Sequence, residues 1–142
     1  VLGVEEELKA AYVADGRVRF IFNPVLNHGD RSVQSHMASE CASDQGQFWP
    51  FRKYLFEEQS RLWRGDTRQT VKELAAEFGL ETVDFNACMD EQRHLTRLTL
   101  QDDLRKQRGV FSQPSFDVVG DLYGGSVPFE DWAQVINARL SQ

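Results

Sequence analysis

Gly109-Val110-Phe111-Ser112-Gln113-Pro114-Ser115-Phe116-Asp117-Val118-Val119-Gly120 is the stretch whose reading decides the fold. Gly109 ends a helical pattern. Residues 110–113 then lead extended into Pro114, because a residue before proline is pushed out of the helical region. A proline at the head of the run 115–119 is compatible with a strand, since its missing donor falls at the strand's beginning. Gly120-Asp121 reads as a turn and residues 122–125 as a short hairpin partner, weakened by its two glycines. Alternation sets Asp117 opposite Phe116 and Val118, which predicts a solvent-facing carboxylate; the alternative is a buried acid. Pro128 opens a last helix, to about 140, with Phe129, Trp132, Val135, Ile136 and Leu140 turned inward.

Upstream, Val4, Leu8, Ala11 and Tyr12 share one face of a helix over 4–14. Arg17-Val18-Arg19-Phe20-Ile21-Phe22 alternates and then turns apolar, which predicts a strand closed by Asn23-Pro24. Helical periodicity predicts further helices over 32–44, 47–63, 69–78, 83–90 and 91–108. Ser32 is a candidate cap for the first of these, and Pro50 suits the first turn of the second. A small sheet interrupted by a long helical segment is an α/β design.

The chain has 142 residues and a formal net charge of −6, with 41% hydrophobic and 27% charged residues. That length suits one domain with a sizeable core, and the composition is that of a folded globule. The acidic balance argues against a nucleic-acid partner. The apolar runs fall far short of the roughly 20 residues a membrane span needs. The chain opens on Val1-Leu2-Gly3-Val4 without a signal-peptide pattern.

Two cysteines, Cys41 and Cys88, lie far apart and form neither a Cys-x-x-Cys pair nor a four-ligand zinc pattern. Free core thiols and a structural disulfide between two helices both fit them. His28, His36 and His94 make no compact ligand spacing, so no metal site is expected. Trp49 and Trp63 read as packing residues, and residues 27–30 as a loop.

Four stretches, in order, resemble the DsbA-like branch of the thioredoxin superfamily. They are residues 15–24; Cys41-Ala42-Ser43-Asp44-Gln45-Gly46-Gln47-Phe48-Trp49 with Leu55-Phe56; Gly79-Leu80 followed by Phe85-Asn86-Ala87-Cys88; and residues 109–120. The resemblance spans nearly the whole chain. It implies one thioredoxin-like domain over 1–142, with an all-helical insertion over 25–108 between the second strand and the proline-led strand. It implies that Pro114 is cis and that the backbone of Gln113 pairs with an extended substrate. The activity implied is thiol:disulfide exchange with protein or peptide thiols, without a cofactor. The location implied is periplasmic or otherwise extracytoplasmic in a bacterium, with a cytoplasmic one left open.

One departure shapes the functional expectation. The family carries a strand and then Cys-x-x-Cys at the start of its first helix, where the helix terminus activates one thiol. This chain begins with that helix already under way. The expectation is therefore an N-terminally incomplete domain without its first strand. It would have no catalytic residue, and its unpaired sheet edge would be open to self-association. Thiol:disulfide exchange would be inactive for want of a redox-active pair; the alternative is a redox-inactive domain that binds extended peptides or serves a structural role.

Overall fold

The computed structural model describes residues 2–142. In chain order the elements are α1 (Leu2–Leu8), continued by a π-helical turn (Lys9–Val13), then α2 (Asp30–Ser43), α3 (Phe48–Glu57), α4 (Gln59–Leu62), α5 (Thr67–Phe78), α6 (Thr82–Asp90), α7 (Leu95–Gln107), β1 (Ser115–Val118), β2 (Asp121–Gly124) and α8 (Phe129–Leu140). This is the expected α/β architecture, with a large helical insertion ahead of the strand that follows Pro114. Two compact units form, residues 23–104 and the combination of residues up to 22 with 105–142.

The helical unit closes over an apolar core. Phe51 of α3 is fully buried, with its ring 5.7 Å from Phe85 of α6 and 5.3 Å from Phe78 of α5. Met37, Ala38, Cys41 and Ala42 supply the buried face of α2, and Val71, Leu74 and Ala75 that of α5. These positions follow the i, i+3, i+4 spacing that made the helices legible. Boundaries are set by caps. Asp66 accepts from the Gln69 N–H and caps α5, which starts at Thr67. Gly79 ends α5 at φ 93°, donating to Ala76, while Leu80 N–H returns to the Ala75 carbonyl and its side chain is buried. This is the Schellman arrangement, which only a residue free of Cβ adopts cheaply.

The helix expected over 47–63 is broken at Glu58, whose backbone leaves helical geometry at ψ 15°. The turn lets Arg61 of α4 reach Glu77 of α5 with two hydrogen bonds of 2.7 and 2.8 Å. Ser32 lies inside α2 rather than capping it, and its hydroxyl accepts from the His28 N–H. Trp63 is 45% exposed rather than packed in a core, and meets the His28 ring edge-on.

In the second unit, β1 and β2 form an antiparallel hairpin with Phe116 opposite Tyr123. Both rings pack on Trp132 of α8, at 4.6 and 5.4 Å, and Trp132 is 1% exposed. Leu8 and Tyr12 complete this smaller core. Asp117 faces outward as alternation predicts, held by Arg108 at 2.5 Å and accepting from the Gly120 N–H. The Arg108 guanidinium and that N–H hold its carboxyl below the usual carboxylate range.

The expected strand over 17–22 does not form; the segment is irregular. A strand exists only through a ladder, and the one sheet among the described residues contains β1 and β2 alone. Val18 still packs into the core around Trp132, so the apolar pattern is used although the ladder is absent. No strand precedes β1 among the described residues.

The hairpin loop, Val119-Gly120, has φ of 54° and 98°. Two positive φ values in a two-residue loop define the turn that favours Asn-Gly. A β-branched residue is strained there. Val119→Asn is accordingly expected to raise stability by about 1 kcal/mol in urea unfolding; an unchanged or lower midpoint would contradict this.

Candidate functional site

The two cysteines are brought together by a pair of helices and by a hydrogen-bonded clamp just beyond the first of them. Cys41 and Asp44 stand three residues apart at the end of α2, hence on one side of it. Past α2, the Gln45 side-chain amide donates to the Glu81 carbonyl at 2.9 Å and accepts from the Glu81 N–H at 2.8 Å. Glu81 in turn caps α6, its carboxylate accepting from Asp84 and Val83 N–H at 2.7 and 3.0 Å. Those two backbone donors hold its carboxyl below the ordinary range. The start of α6 is thereby fixed to the end of α2, and Cys88, further along α6, meets Cys41.

Cys41 and Cys88 form a disulfide with S–S 1.99 Å and Cα–Cα 5.8 Å. This settles the choice between free thiols and a bond. It also overturns the expectation that the chain carries no redox-capable cysteine pair and is inactive for that reason. The pair is not a Cys-x-x-Cys. It is assembled in space from α2 and α6, which sequence spacing does not display.

Both cysteines are 1% exposed. Their polar surroundings lie on one side. Asp44 Oδ2 is 3.7 Å from Cys88 Sγ and 3.0 Å from His94 Nε2. A carboxylate only accepts, so Nε2 carries the proton of this bond. In the neutral ring Nδ1 is then left as the acceptor. Arg93 lies 4.0 Å from the same carboxylate oxygen. The two sulfurs and a ring nitrogen of His94 all lie within 4.8 Å of one another. Asp44 is exposed and His94 partly so, which gives the cluster a buried sulfur end and a solvent end. The arrangement can accept a proton from a thiol and hold a charge beside a thiolate.

The sequence alone does not mark Asp44 and His94 as site residues. The spacing Cys41-x-x-Asp44 on a helix carried a signal, because i and i+3 share a face. His94 carried none, because it follows a reversal of the chain in which Gln92 has φ 51°.

Gln113 and Pro114 lie in the loop before β1, in the other unit, and the peptide between them is cis. Gln113 is exposed, and its peptide N–H and C=O make no hydrogen bond among the described residues. On either side the backbone is engaged: the Ser112 carbonyl accepts from Ser115 Oγ at 2.7 Å, and the Pro114 carbonyl from Gly125 N–H at 2.9 Å. No helix among the described residues is long and apolar enough to cross a membrane.

A family model described as thioredoxin matches residues 2–138. Among solved structures, oxidised BdbD from Bacillus subtilis superposes with a TM-score of 0.77 at 20% identity, covering 96% of this chain and 76% of that one. The Na(+)/H(+) antiporter NhaA of Herminiimonas arsenicoxydans is 27% identical over 136 residues; these are 96% of this chain but 21% of that protein.

Proposed function

The chain belongs to the thioredoxin family, and from that premise we propose that it is a thiol:disulfide exchange domain whose redox couple is Cys41–Cys88. The observation that carries this reading is the disulfide itself, set beside the Asp44–His94 pair. The exchange balances without a cofactor. In the dithiol form, one cysteine thiolate attacks a substrate disulfide, releasing one substrate thiolate and leaving a mixed disulfide. The second cysteine gives its proton to His94 and attacks the mixed bond. The second substrate thiol leaves, and Cys41–Cys88 closes. Two electrons pass from the cysteine pair to the substrate.

A bond that stabilises the fold is stabilised by the fold in return. This thermodynamic cycle favours the oxidised pair and so the direction from domain dithiol to substrate disulfide. With both sulfurs buried, exchange requires the ends of α2 and α6 to part on the side of Asp44 and His94.

In the other unit, Gln113 offers a contact of its own for an extended peptide chain. Its free peptide groups sit in an exposed loop, and adding a strand to such a backbone is a common way of holding a peptide. The partners are protein or peptide thiols and disulfides. Disulfides persist in oxidising compartments, which supports an extracytoplasmic location.

Insulin reduction at equal protein concentrations tests the reading. The wild-type chain is expected to turn over clearly. The Cys41→Ser, Cys88→Ser double variant should fall to background, and His94→Ala should be slower by about 100-fold, the lower end for loss of a general base. Equal rates for wild type and double variant would overturn the proposal.

The match to an antiporter favours a second reading, in which the domain is a redox-responsive appendage of a membrane transporter. The chain spans about a fifth of that relative. The sequence of the surrounding gene decides: a multi-span transporter reading frame continuous with this domain supports it, and a frame without one rejects it.

A further inference from the structure

The exchange reading uses the two sulfurs and treats His94 as a base, but the cluster also has the composition of a metal site. Two thiolates and an imidazole suit a borderline-soft divalent cation such as Zn2+ and not Ca2+ or Mg2+. We propose that reduction of the Cys41–Cys88 bond opens a binding site for such a cation, held by both sulfurs and a ring nitrogen of His94. The inference rests on the reducibility that the exchange reading also needs, and not on turnover.

Three observations support the geometry. The candidate donor atoms already lie within 4.8 Å of one another while the sulfurs are bonded. Breaking that bond frees the sulfurs to separate by side-chain rotation, which is the adjustment a cation between them needs. The Cα–Cα distance of 5.8 Å requires no movement of the helices to span a single ion. Finally, Asp44 is hydrogen-bonded to Nε2 of His94, so binding through Nδ1 would keep a carboxylate behind the ligand ring, the partner that metal-bound histidines ordinarily have. Asp44 is exposed and His94 partly so, which leaves the fourth position to a water.

The chemistry balances as follows. A small-molecule or protein dithiol gives two electrons and two protons to the disulfide and becomes a disulfide itself. The domain then carries two thiols, and Zn2+ displaces both protons as it binds. The oxidised domain has no thiolate and no site. Redox state therefore gates metal binding, and the bound metal in turn protects the thiols from reoxidation.

The test uses the full chain, reduced with a phosphine under anaerobic conditions, its two free thiols verified by mass. Co2+ is titrated and followed by its sulfur-to-metal charge-transfer and ligand-field absorption, then displaced by Zn2+; circular dichroism follows folding. Reduced wild type is expected to bind one equivalent with a tetrahedral signature, and oxidised wild type none. His94→Ala should weaken binding by at least 10-fold, and Asp44→Asn by about 10- to 100-fold. If the reduced chain unfolds and Zn2+ restores its fold, that also supports the site. Absence of a one-equivalent signal in the reduced chain overturns it, as does equal affinity in His94→Ala. Insulin turnover without metal binding would sink this inference alone, and metal binding without turnover would sink only the exchange reading.

Discussion

Reduced wild-type protein unfolds in urea with roughly 4 kcal/mol less stability than the oxidised form, on the chain-entropy account of a bond across a 47-residue separation. That is a large share of a small domain's stability. A mechanism acting on the unfolded chain has its own signature. Without the cross-link the unfolded state expands, so the urea m-value rises as the midpoint falls. The Cys41→Ala, Cys88→Ala variant should behave like the reduced protein, with a further small loss because both sites are fully packed. A loss under about 1 kcal/mol, or an unchanged m-value, would show that α2 and α6 hold their places without the bond.

The second large effect is on acidification. Burial is the main reason His36 of α2 has its pKa lowered from 6.5 to about 4, and the Arg52 charge adds to it. A hydrogen bond with the Val25 backbone and the Asp102 carboxylate pull the other way and do not prevail. The unfolded chain protonates this imidazole near pH 6.5, whereas the folded chain does so only near pH 4. Between those values the unfolded state binds more protons, so stability is full above pH 6.5 and falls as pH drops. The slope approaches about 1.4 kcal/mol per pH unit, and the whole window is worth about 3 kcal/mol. Urea unfolding of wild type and His36→Gln at pH 7, 6, 5 and 4.5 checks this. The variant's profile should be flatter across that range; identical profiles would refute the assignment. Asp117, Glu81, Glu77 and Asp90 also have lowered pKa values; their contributions are lost as pH falls through the ordinary carboxylate range and below it, and because they are common to wild type and His36→Gln they do not alter the difference between the two profiles.

What the sequence disclosed depended on whether the signal was local. Helix faces such as Met37, Ala38 and Cys41 on α2 were legible because periodicity reports burial directly. So were the stops at Gly79 and Gly109, and the hairpin around Gly120, where backbone geometry demands the residue. Residues 17–22 misled because alternation reports a burial pattern, which Val18 satisfies, and not the presence of a ladder partner. The Cys41–Cys88 bond stayed one of two open readings for a related reason. The family's motif is contiguous in sequence, and this chain's disulfide is contiguous only in space, through the folding of α6 against α2. His94 joined it through a chain reversal that no spacing rule encodes.

The Gln45–Glu81 clamp has a kinetic consequence. When an attacking thiol cuts the sulfur bond and leaves one cysteine as a mixed disulfide, two hydrogen bonds still tether the end of α2 to the start of α6. Each cysteine then sees its partner at a high effective concentration, however dilute the protein is. Reclosure is first order in the domain, and a passing thiol must compete with a neighbour that never diffuses away. Lengthening that tether, rather than altering either cysteine, is the way to change how long the open state survives.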